Sequence, residues 1–311
     1  MLISVIRELP TEHDCSVVLV SHDLTSIYQL SHHIIVMNEG AILCEGDADR
    51  VRATRGWSKP IWEPDMSTPI IALEDVTVAY HGDITILNRI NVQARAGKVT
   101  GVIGPNGAGK STVLKTLFGF LPPRTGRITL RGQDISAQPS HERASHGVAF
   151  VPQHRSLFGE LSVHDNLLLG CWPFRGDKAR VRQRIDSVYD RFPILAQKRN
   201  DPVSSMSGGQ QRFVEFGRAL LIEPSVILLD EPTAMLAPKI SKEIYGLIRG
   251  FADEGMTVVL VDQNVRRCAE VSDYMYILEL GRNKAEGGRE SFEDGGGLRE
   301  MVASWMDYKI D

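Results

Sequence analysis

Long apolar runs are missing from this 311-residue chain, and cysteines are few. Its longest apolar stretches, such as Val17 to Val20 and Val226 to Leu229, are far shorter than the roughly 20 residues that cross a bilayer, and the N-terminus lacks a signal-peptide pattern. No CxxC pair occurs among the four cysteines, Cys15, Cys44, Cys171 and Cys268. The sequence therefore favours neither a zinc site nor a disulfide framework, and we expect a reduced, cytoplasmic setting in which partners mediate any contact with a membrane.

An excess of positive charge is also absent. The formal net charge is -4 and the pI is near 6.2, so the chain has no overall basic field of the kind that drives sequence-independent binding to nucleic acids. The apolar fraction of 42% is enough to build a hydrophobic core. These numbers argue for a globular protein and against a nucleic-acid partner.

Part of the chain repeats itself at a constant offset. The matching strings are Ser16-Val-Val-Leu-Val20 with Thr257-Val-Val-Leu-Val261, Gly40 with Gly281, and Glu45-Gly46 with Glu286-Gly287. Both copies predict a buried strand, a helix (24–33 and 265–273), and a short apolar strand with a glycine-marked turn. We interpret residues 1–52 as the end of a second, related domain. An N-terminal extension of unrelated origin is the alternative.

Residues 53–69 separate the two copies. The prolines Pro60, Pro64 and Pro69 make this stretch poor material for a helix or a central strand, and its two tryptophans predict a linker that docks on a surface. From residue 70 onward, strand patterns alternate with helical patterns. This alternation predicts an α/β domain over 70–311, with a mainly parallel sheet of the mononucleotide-binding class.

A glycine-rich loop follows the strand predicted at residues 98–103. It fills every fixed position of the phosphate-binding pattern G-x-x-x-x-G-K-[ST], and a helix is expected from near Thr112. In such a loop the backbone N–H groups meet phosphate oxygens, Lys110 reaches the β and γ phosphates, and Ser111 binds Mg²⁺. The predicted nucleotide contacts are Gly104, Pro105, Asn106, Gly107, Ala108, Gly109, Lys110, Ser111 and Thr112. A chance glycine-rich turn is the alternative.

Two adjacent carboxylates end a second apolar strand, 226–230. In an enzyme with a phosphate loop, the first acid helps to hold Mg²⁺ and the second can take a proton from the attacking water. Adjacent acids also occur as simple turn formers at strand ends. Because the phosphate loop is present, we predict that Asp230 is a metal ligand and that Glu231 is the catalytic base.

A third motif, Ser207-Gly-Gly-Gln-Gln-Arg212, lies between these two and opens a helix that runs to Leu221. Serine is a good helix cap, and the glycines bare the first backbone N–H groups, which makes an anion-binding helix terminus. The string resembles the signature of ABC ATPases, and the resemblance extends over about residues 70–306. It implies an ABC-type antiparallel β subdomain, a helical subdomain at about 154–215, and a second ATPase subunit, identical or different, whose ATP meets Ser207, Gly208, Gly209 and Gln210.

The resemblance implies roles for three further residues. Tyr80 would stack on adenine, although a strand tyrosine is usually a packing residue. Gln153 would touch both Mg²⁺ and the attacking water. A glutamine amide can hydrogen-bond a γ-phosphate but cannot carry a proton, so we expect Gln263 to be a sensor and hydrolysis to depend on Glu231.

Within this family, the chain is similar to the ATPases of branched-chain amino acid importers. The strings Leu236-Ala-Pro-Lys239 and Asp262-Gln263-Asn264 carry this similarity, whereas Met206 and Met235 depart from the usual leucine and glycine. The resemblance implies a peripheral subunit on the cytoplasmic face of the plasma membrane. Its partners would be permease subunits and, indirectly, a substrate-binding protein. Residues 1–52 resemble the end of the companion ATPase of such importers.

Two other functions stay open from the sequence. Gln263, Ala237 and Met235 would also fit a catalytically weak subunit that binds ATP mainly to hold a dimer together. A soluble ABC protein that acts on ribosomes or DNA is the second alternative, although such proteins usually have two complete domains or a long coiled-coil insertion. Urea, amide and lipopolysaccharide systems use similar ATPases, so the transported substrate is the least determined feature.

Overall fold

The computed structural model describes residues 17–18, 31–38, 41–47, 69–80, 84–154 and 156–289. The chain divides into two compact units, Met1–Asp65 and Met66–Asp311. In the first unit, β1 (Ile34–Asn38) and β2 (Ala41–Gly46) form an antiparallel hairpin. All the other described elements belong to the second unit.

The second unit alternates strands and helices. Its strands are β3 (Pro69–Tyr80), β4 (Ile84–Arg95), β5 (Val99–Ile103), β6 (Thr125–Leu130), β7 (Gln133–Asp134), β8 (Val148–Val151), β9 (Val226–Asp230), β10 (Thr257–Val261), β11 (Tyr274–Glu279) and β12 (Arg282–Gly288). Its α-helices are α1 (Lys110–Phe118), α2 (Ser140–Ser145), α3 (Val163–Gly170), α4 (Lys178–Arg191), α5 (Pro193–Gln197), α6 (Gly208–Leu220), α7 (Pro238–Asp253) and α8 (Val265–Val271). This alternation confirms the expected α/β class.

A six-stranded sheet in the order β12-β11-β5-β10-β9-β8 forms the centre of the unit. Neighbouring strands are parallel except for the edge pair β11–β12. Every residue of β5, β9 and β10 is buried, as expected for parallel strands whose two faces are both covered. The predicted mainly parallel sheet is confirmed.

Two hydrophobic cores lie on the two faces of this sheet, because successive side chains of a strand point to opposite sides. In β9, Ile227 and Leu229 join the core shared with helices α3 to α8. Val226 and Leu228 join the other core, shared with α1 and with an antiparallel sheet of order β4-β3-β6-β7. The antiparallel subdomain implied by the family resemblance is therefore present.

Helices α3 to α6 form the helical subdomain, and α6 runs to Leu220 with Leu221 as its C-cap, in line with the helix end expected at Leu221. Asn166, which is fully buried, organises the entrance to α3. Its side-chain nitrogen donates to the carbonyl oxygens of Phe158 (2.9 Å) and Ser162 (3.0 Å), and its oxygen accepts from the Phe158 backbone nitrogen (2.9 Å). Within the described ranges, no helix is long and apolar enough to cross a membrane.

The two hairpins that match in sequence also match in register. Ile35 pairs with Glu45 as Tyr276 pairs with Glu286, and the register shift that follows Val36 recurs after Ile277. Each of these pairs is displaced by the offset of the sequence repeat. The equal register supports a common origin, while the assignment of residues 1–52 to a second ABC domain stays a prediction.

Three details outside the phosphate loop differ from expectation. Val17 and Val18 lie outside any strand and Val18 is 89% exposed, contrary to the buried strand expected at 16–20, because a strand forms only where a neighbour satisfies its backbone. Pro69, assigned to the linker, is the first residue of β3, a position that tolerates proline. Helix α8 ends at Val271, before the expected residue 273. The linker residues 53–68 and most of the first predicted helix lie outside the described residues.

The turn between β11 and β12 connects the antiparallel sheet to the phosphate loop. Gly281 donates its N–H to the Ala108 carbonyl oxygen (3.1 Å), and its own carbonyl accepts from the Asn88 N–H (2.8 Å). Its φ is 74°, and a Cβ at this position would lie 2.0 Å from the Ile86 carbonyl oxygen. Only glycine satisfies both the backbone conformation and the close approach.

We expect Gly281→Ala to lower the free energy of unfolding by more than about 3 kcal/mol, because the backbone contact with β4 must open. Gly132→Ala is the matched control, since Gly132 has a similar φ of 77° with open space around it. Its loss should be about 1 to 2 kcal/mol, the cost of the left-handed conformation alone. Urea unfolding measures both variants. Equal losses would contradict the steric argument.

Candidate active site

The phosphate loop leaves β5 and ends in α1. Gly104 has a φ of 154°, and a Cβ there would lie 2.2 Å from the Leu278 carbonyl oxygen. Gly109 caps α1 in the left-handed conformation, so the helix begins at Lys110, earlier than the start expected near Thr112. No side chain caps α1. Its first backbone N–H groups are therefore suited to an anion, in line with the positive end of the helix dipole.

The other loop residues divide between an exposed rim and a buried base. Pro105, Asn106 and Gly107 are exposed, whereas Ala108 and Thr112 are buried. The buried Lys110 side chain folds back over the loop, where its Nζ donates to the carbonyl oxygens of Gly104 (2.9 Å) and Pro105 (3.0 Å). The ammonium group thus lies within the turn that a phosphate would occupy.

Ser111 and Asp230 meet across the sheet edge. The Ser111 hydroxyl donates to Asp230 Oδ1 at 2.9 Å, which joins the first turn of α1 to the last residue of β9. Burial raises the pKa of the Asp230 carboxyl, and the Ser111 hydrogen bond opposes this rise. Two oxygen-bearing side chains predicted to bind a metal are therefore adjacent.

Glu231 accepts hydrogen bonds from the two other residues that were predicted to be catalytic. Gln153 Nε2 donates to its Oε2 at 2.6 Å, and Gln263 Nε2 lies 2.8 Å from both carboxylate oxygens. The main chain of Glu231 has a φ of 45°, and its N–H donates to the Val261 carbonyl oxygen of β10 at 2.8 Å. The structure thus brings Gln153, Glu231 and Gln263 together, although they are far apart in the sequence.

A polar cavity of about 550 Å³ opens beside these three residues. Its lining also includes Met235, whose side chain is fully exposed and whose φ is 62°, and Arg267 of α8. The Glu231 carboxylate is buried yet borders space that a substrate group or a water molecule can enter.

A group that the sequence analysis did not identify lies behind Gln263. Tyr245 donates its hydroxyl to Asp262 Oδ2 (2.8 Å), and Asp262 Oδ1 accepts from the Asn264 N–H (2.9 Å). Burial raises the pKa values of Asp262 and of Tyr245. These bonds fix the turn after β10 and so hold Gln263 in place. The only sequence signal was an acid directly after an apolar strand, where it resembled a turn residue.

Two predicted groups lie on elements other than the phosphate loop. Ser207 and Gln210 form a reciprocal capping box at the start of α6, where Ser207 is exposed. Gly209 has a packing role as well, since a Cβ there would lie 2.7 Å from a methyl group of Ile240. Tyr80, partly buried, is the last residue of β3 and pairs with Ile84.

Comparison with known proteins supports the same chemistry. Residues 87–234 match the ABC transporter family. Over 205 residues the chain is 37% identical to the probable branched-chain amino acid transport ATP-binding protein LivF of Archaeoglobus fulgidus, covering 66% of this chain and 86% of that protein. Over 219 residues it is 35% identical to the lipopolysaccharide export system ATP-binding protein LptB of Escherichia coli K12, covering 70% and 90% of the two chains.

A solved structure has the same fold. It is a dimeric ATP-binding cassette in a post-hydrolysis state bound to ADP and Pi, with a TM-score of 0.63 and 26% identity over 70% of this chain and 98% of the other. These relatives are named for different transported compounds, so they identify the family and leave the solute open. Together with the phosphate loop and its two carboxylates, they show that this chain belongs to the ABC transporter family as an ATP-binding subunit that hydrolyses ATP.

Proposed function

We propose that this subunit hydrolyses ATP at a site shared between two subunits and so drives import of branched-chain or related amino acids through a membrane permease. The observation that carries the proposed active site is the convergence of the phosphate loop, the Ser111–Asp230 pair and the Glu231 carboxylate at one edge of the parallel sheet. Each group can then act on a different part of a single triphosphate.

The phosphates of ATP would replace backbone carbonyls as the partners of Lys110. A phosphate oxygen is a stronger acceptor for an ammonium group than a neutral carbonyl, so the Gly104 and Pro105 contacts mark where the β and γ phosphates would bind. Burial destabilises the charged form of the Asp230 carboxyl, and a cation beside it would stabilise that form.

Mg²⁺ fits the Ser111 hydroxyl and the Asp230 carboxylate because both supply hard oxygen donors. In our proposal Gln153 would add its amide oxygen, since its nitrogen already donates to Glu231. When bound, the ion neutralises charge on the phosphate oxygens.

Glu231 is the proposed general base. A carboxylate has about four lone-pair sites, and the amides of Gln153 and Gln263 make three close contacts with its oxygens, which leaves room to accept a proton from water. Gln263 cannot replace Glu231 in this task, because an amide does not carry a proton at neutral pH. We therefore assign Gln263 to sensing the γ-phosphate and to holding the carboxylate.

The Ser207 end of α6 is the proposed contribution to a second subunit's site. Ser207 is exposed at the start of this helix, and Tyr80 is proposed to stack on the adenine bound by its own subunit. The dimeric form of a related cassette supports pairing of two ATPase subunits. A helix N-terminus brought against a phosphate in this way would close the site over the nucleotide.

The permease is the proposed membrane partner. An apolar groove of about 280 Å³ lies between β8 and helices α3 and α6, and large apolar side chains around this subdomain are exposed. They are Phe120, Phe158, Leu161, Leu168, Leu169 and Trp172. Exposed apolar surface of this kind is typical of a protein interface. We propose that it attaches the subunit to the cytoplasmic face of the membrane.

The amino-acid substrate rests on likeness alone. The Archaeoglobus relative is named for branched-chain amino acids. The resemblance of the strings at 236–239 and 262–264 to importers of that class supports the same substrate. The lipopolysaccharide export relative is similar at a comparable identity. Substrate choice in such systems belongs to the permease and the binding protein.

Glu231→Gln is expected to lower ATP turnover by about a hundredfold or more while nucleotide binding is retained, because the amide cannot accept the proton from water. Phosphate release by the purified protein measures turnover, and titration with a fluorescent ATP analogue measures binding. The exposed Glu243→Gln is the matched control. An unchanged rate in Glu231→Gln would favour the catalytically weak subunit instead.

Asp230→Asn is expected to raise the free energy of unfolding of the nucleotide-free protein at pH 7, by up to about 2 kcal/mol, because a buried charge is removed while the acceptor for Ser111 remains. Since the folded-state pKa of Asp230 is raised, the gain should shrink as the pH falls through that pKa and Asp230 becomes neutral. Urea unfolding at several pH values tests this.

The exposed Asp190→Asn is the control for Asp230→Asn, with an expected change below about 0.5 kcal/mol. The same Asp230→Asn variant should bind ATP more weakly in the presence of Mg²⁺. A gain in stability that does not depend on pH would contradict the charge explanation.

A mixture of two inactive variants tests the shared site. Lys110→Ala disables the phosphate loop, and Gly208→Glu blocks the α6 terminus with an acid that a helix N-terminus tolerates. In an equal mixture, half of the dimers contain one intact site of two, so up to about one quarter of wild-type turnover should return, and less if hydrolysis at one site requires nucleotide at the other. Phosphate release and ATP-dependent dimer formation are measured for each variant and for the mixture. If the mixture forms no more ATP-dependent dimer than either variant alone, while the wild-type protein does dimerise, the shared site is contradicted.

A further inference from the structure

The loop that follows β8 carries Gln153, and side chains of α6 hold its main chain. Arg212 donates from Nη1 to the Pro152 carbonyl oxygen (2.9 Å) and from Nη2 to the Gln153 carbonyl oxygen (3.2 Å). The Gln153 amide meanwhile reaches Glu231. The backbone position of Gln153, and with it the contact to the catalytic carboxylate, therefore depends on α6.

Glu215 holds Arg212 in this position. Its Oε2 lies 2.7 Å from Arg212 Nη1, and the side chains of Arg212 and Glu215 are only 6% and 2% exposed. Their spacing of three residues places them on one face of the helix. A buried ion pair adds little net stability compared with an apolar pair of similar volume. Positioning explains its presence inside the subunit better than stability does.

The same helix face also holds the far end of the loop. The Ser156 N–H donates to Glu215 Oε1 at 2.8 Å, and Arg218 donates to the Ser156 carbonyl oxygen at 2.8 Å and to the Ser156 hydroxyl. The main chain of this loop is thus hydrogen-bonded to Arg212, Glu215 and Arg218, which are spaced three residues apart along α6. A displacement of the helix must carry the loop with it.

The first residue of this arrangement is the Ser207 cap. Arg212 lies five residues further along the chain, about 7.5 Å along the helix axis. In the proposed function, the Ser207 end meets the nucleotide of a second subunit, while Gln153 acts beside Glu231 in its own subunit. The first turns of α6 therefore lie between the proposed contact with the second subunit's ATP and the residues that act on the ATP of their own subunit.

We propose that Arg212 and Glu215 are positioning residues that couple the Ser207 end of α6 to the Gln153–Glu231 contact. The proposal rests on the proposed function and adds to it a means of regulation. Engagement of the Ser207 end with the second subunit's nucleotide sets the position of α6, and the ion pair transmits this position to Gln153. Hydrolysis at one site then depends on nucleotide at the other, which appears as positive cooperativity in ATP.

A double variant, Arg212→Met with Glu215→Leu, tests the coupling in the full chain. It replaces the pair by apolar side chains, which a buried site tolerates better than one unpaired charge. Binding of a fluorescent ATP analogue should stay within about threefold of wild type, because the phosphate loop is untouched. The kcat should fall by about tenfold to a hundredfold, as expected when a catalytic group is slightly misplaced. The Hill coefficient for ATP should fall toward one.

A purely structural pair would lower the melting temperature and leave kcat and the Hill coefficient of the folded protein unchanged, and that result would overturn the proposal. The control is Arg182→Met with Asp186→Leu, an exposed pair on α4, which should leave all three quantities unchanged. If the double variant does not fold, Glu215→Gln replaces it, because its amide oxygen still accepts from Ser156. Wild-type kcat and Hill coefficient in Glu215→Gln would also overturn the coupling.

The Glu231→Gln variant distinguishes a failure of the coupling from a failure of the proposed function. If it loses turnover while the Arg212→Met/Glu215→Leu variant retains wild-type kcat and cooperativity, only the coupling fails. If Glu231→Gln itself retains turnover, the assignment of the catalytic base fails, and the coupling to that base fails with it.

Discussion

Parallel pairing of β10 with both β5 and β9 is the constraint on which the rest of the site depends. Val261 of β10 lies opposite Val102 on one side and Asp230 on the other, so the three strands end at the same level. The phosphate loop, the Glu231 turn and the Gln263 turn leave the sheet together at that edge. Burial of each apolar side chain in these strands contributes roughly 1.5 to 3 kcal/mol. The geometry of the proposed active site thus depends on the buried residues of these strands.

The segment between β9 and α7, at the same edge of the sheet, contains two residues in unfavourable backbone conformations. Glu231 and Met235 both have positive φ values, a conformation that costs roughly 1 to 2 kcal/mol for a residue with a side chain. At Glu231 the cost is offset by the backbone bond to Val261 and by the amides of two glutamines. At Met235 the side chain is fully exposed in this subunit. Two of the seven described non-glycine residues with positive φ therefore lie in the turn that borders the cavity.

Much of the site could be predicted because its motifs are local. A run of small residues and a lysine before a helix is best explained as a phosphate-binding loop. An apolar strand that ends in acidic residues has few alternative interpretations. The buried Arg143 shows the opposite case. It lies in the polar stretch Ser140–Ser145, which resembles a solvated helix, yet it donates to carbonyl oxygens of Thr116, Leu117 and Ile135. No local pattern signals a cation that serves remote backbone groups.

The sequence by itself determined the phosphate loop, the acid pair, the capped glycine helix and the repeated hairpin, because each follows from covalent neighbours and backbone propensity. Only the tertiary structure decided that Gln153, 78 positions from Glu231, bonds to it, and that Arg212 and Glu215 are buried together against the same loop. Such contacts depend on the packing of α6 against β8 and on the strand order of the sheet. These are properties of the whole fold, which sequence spacing does not encode.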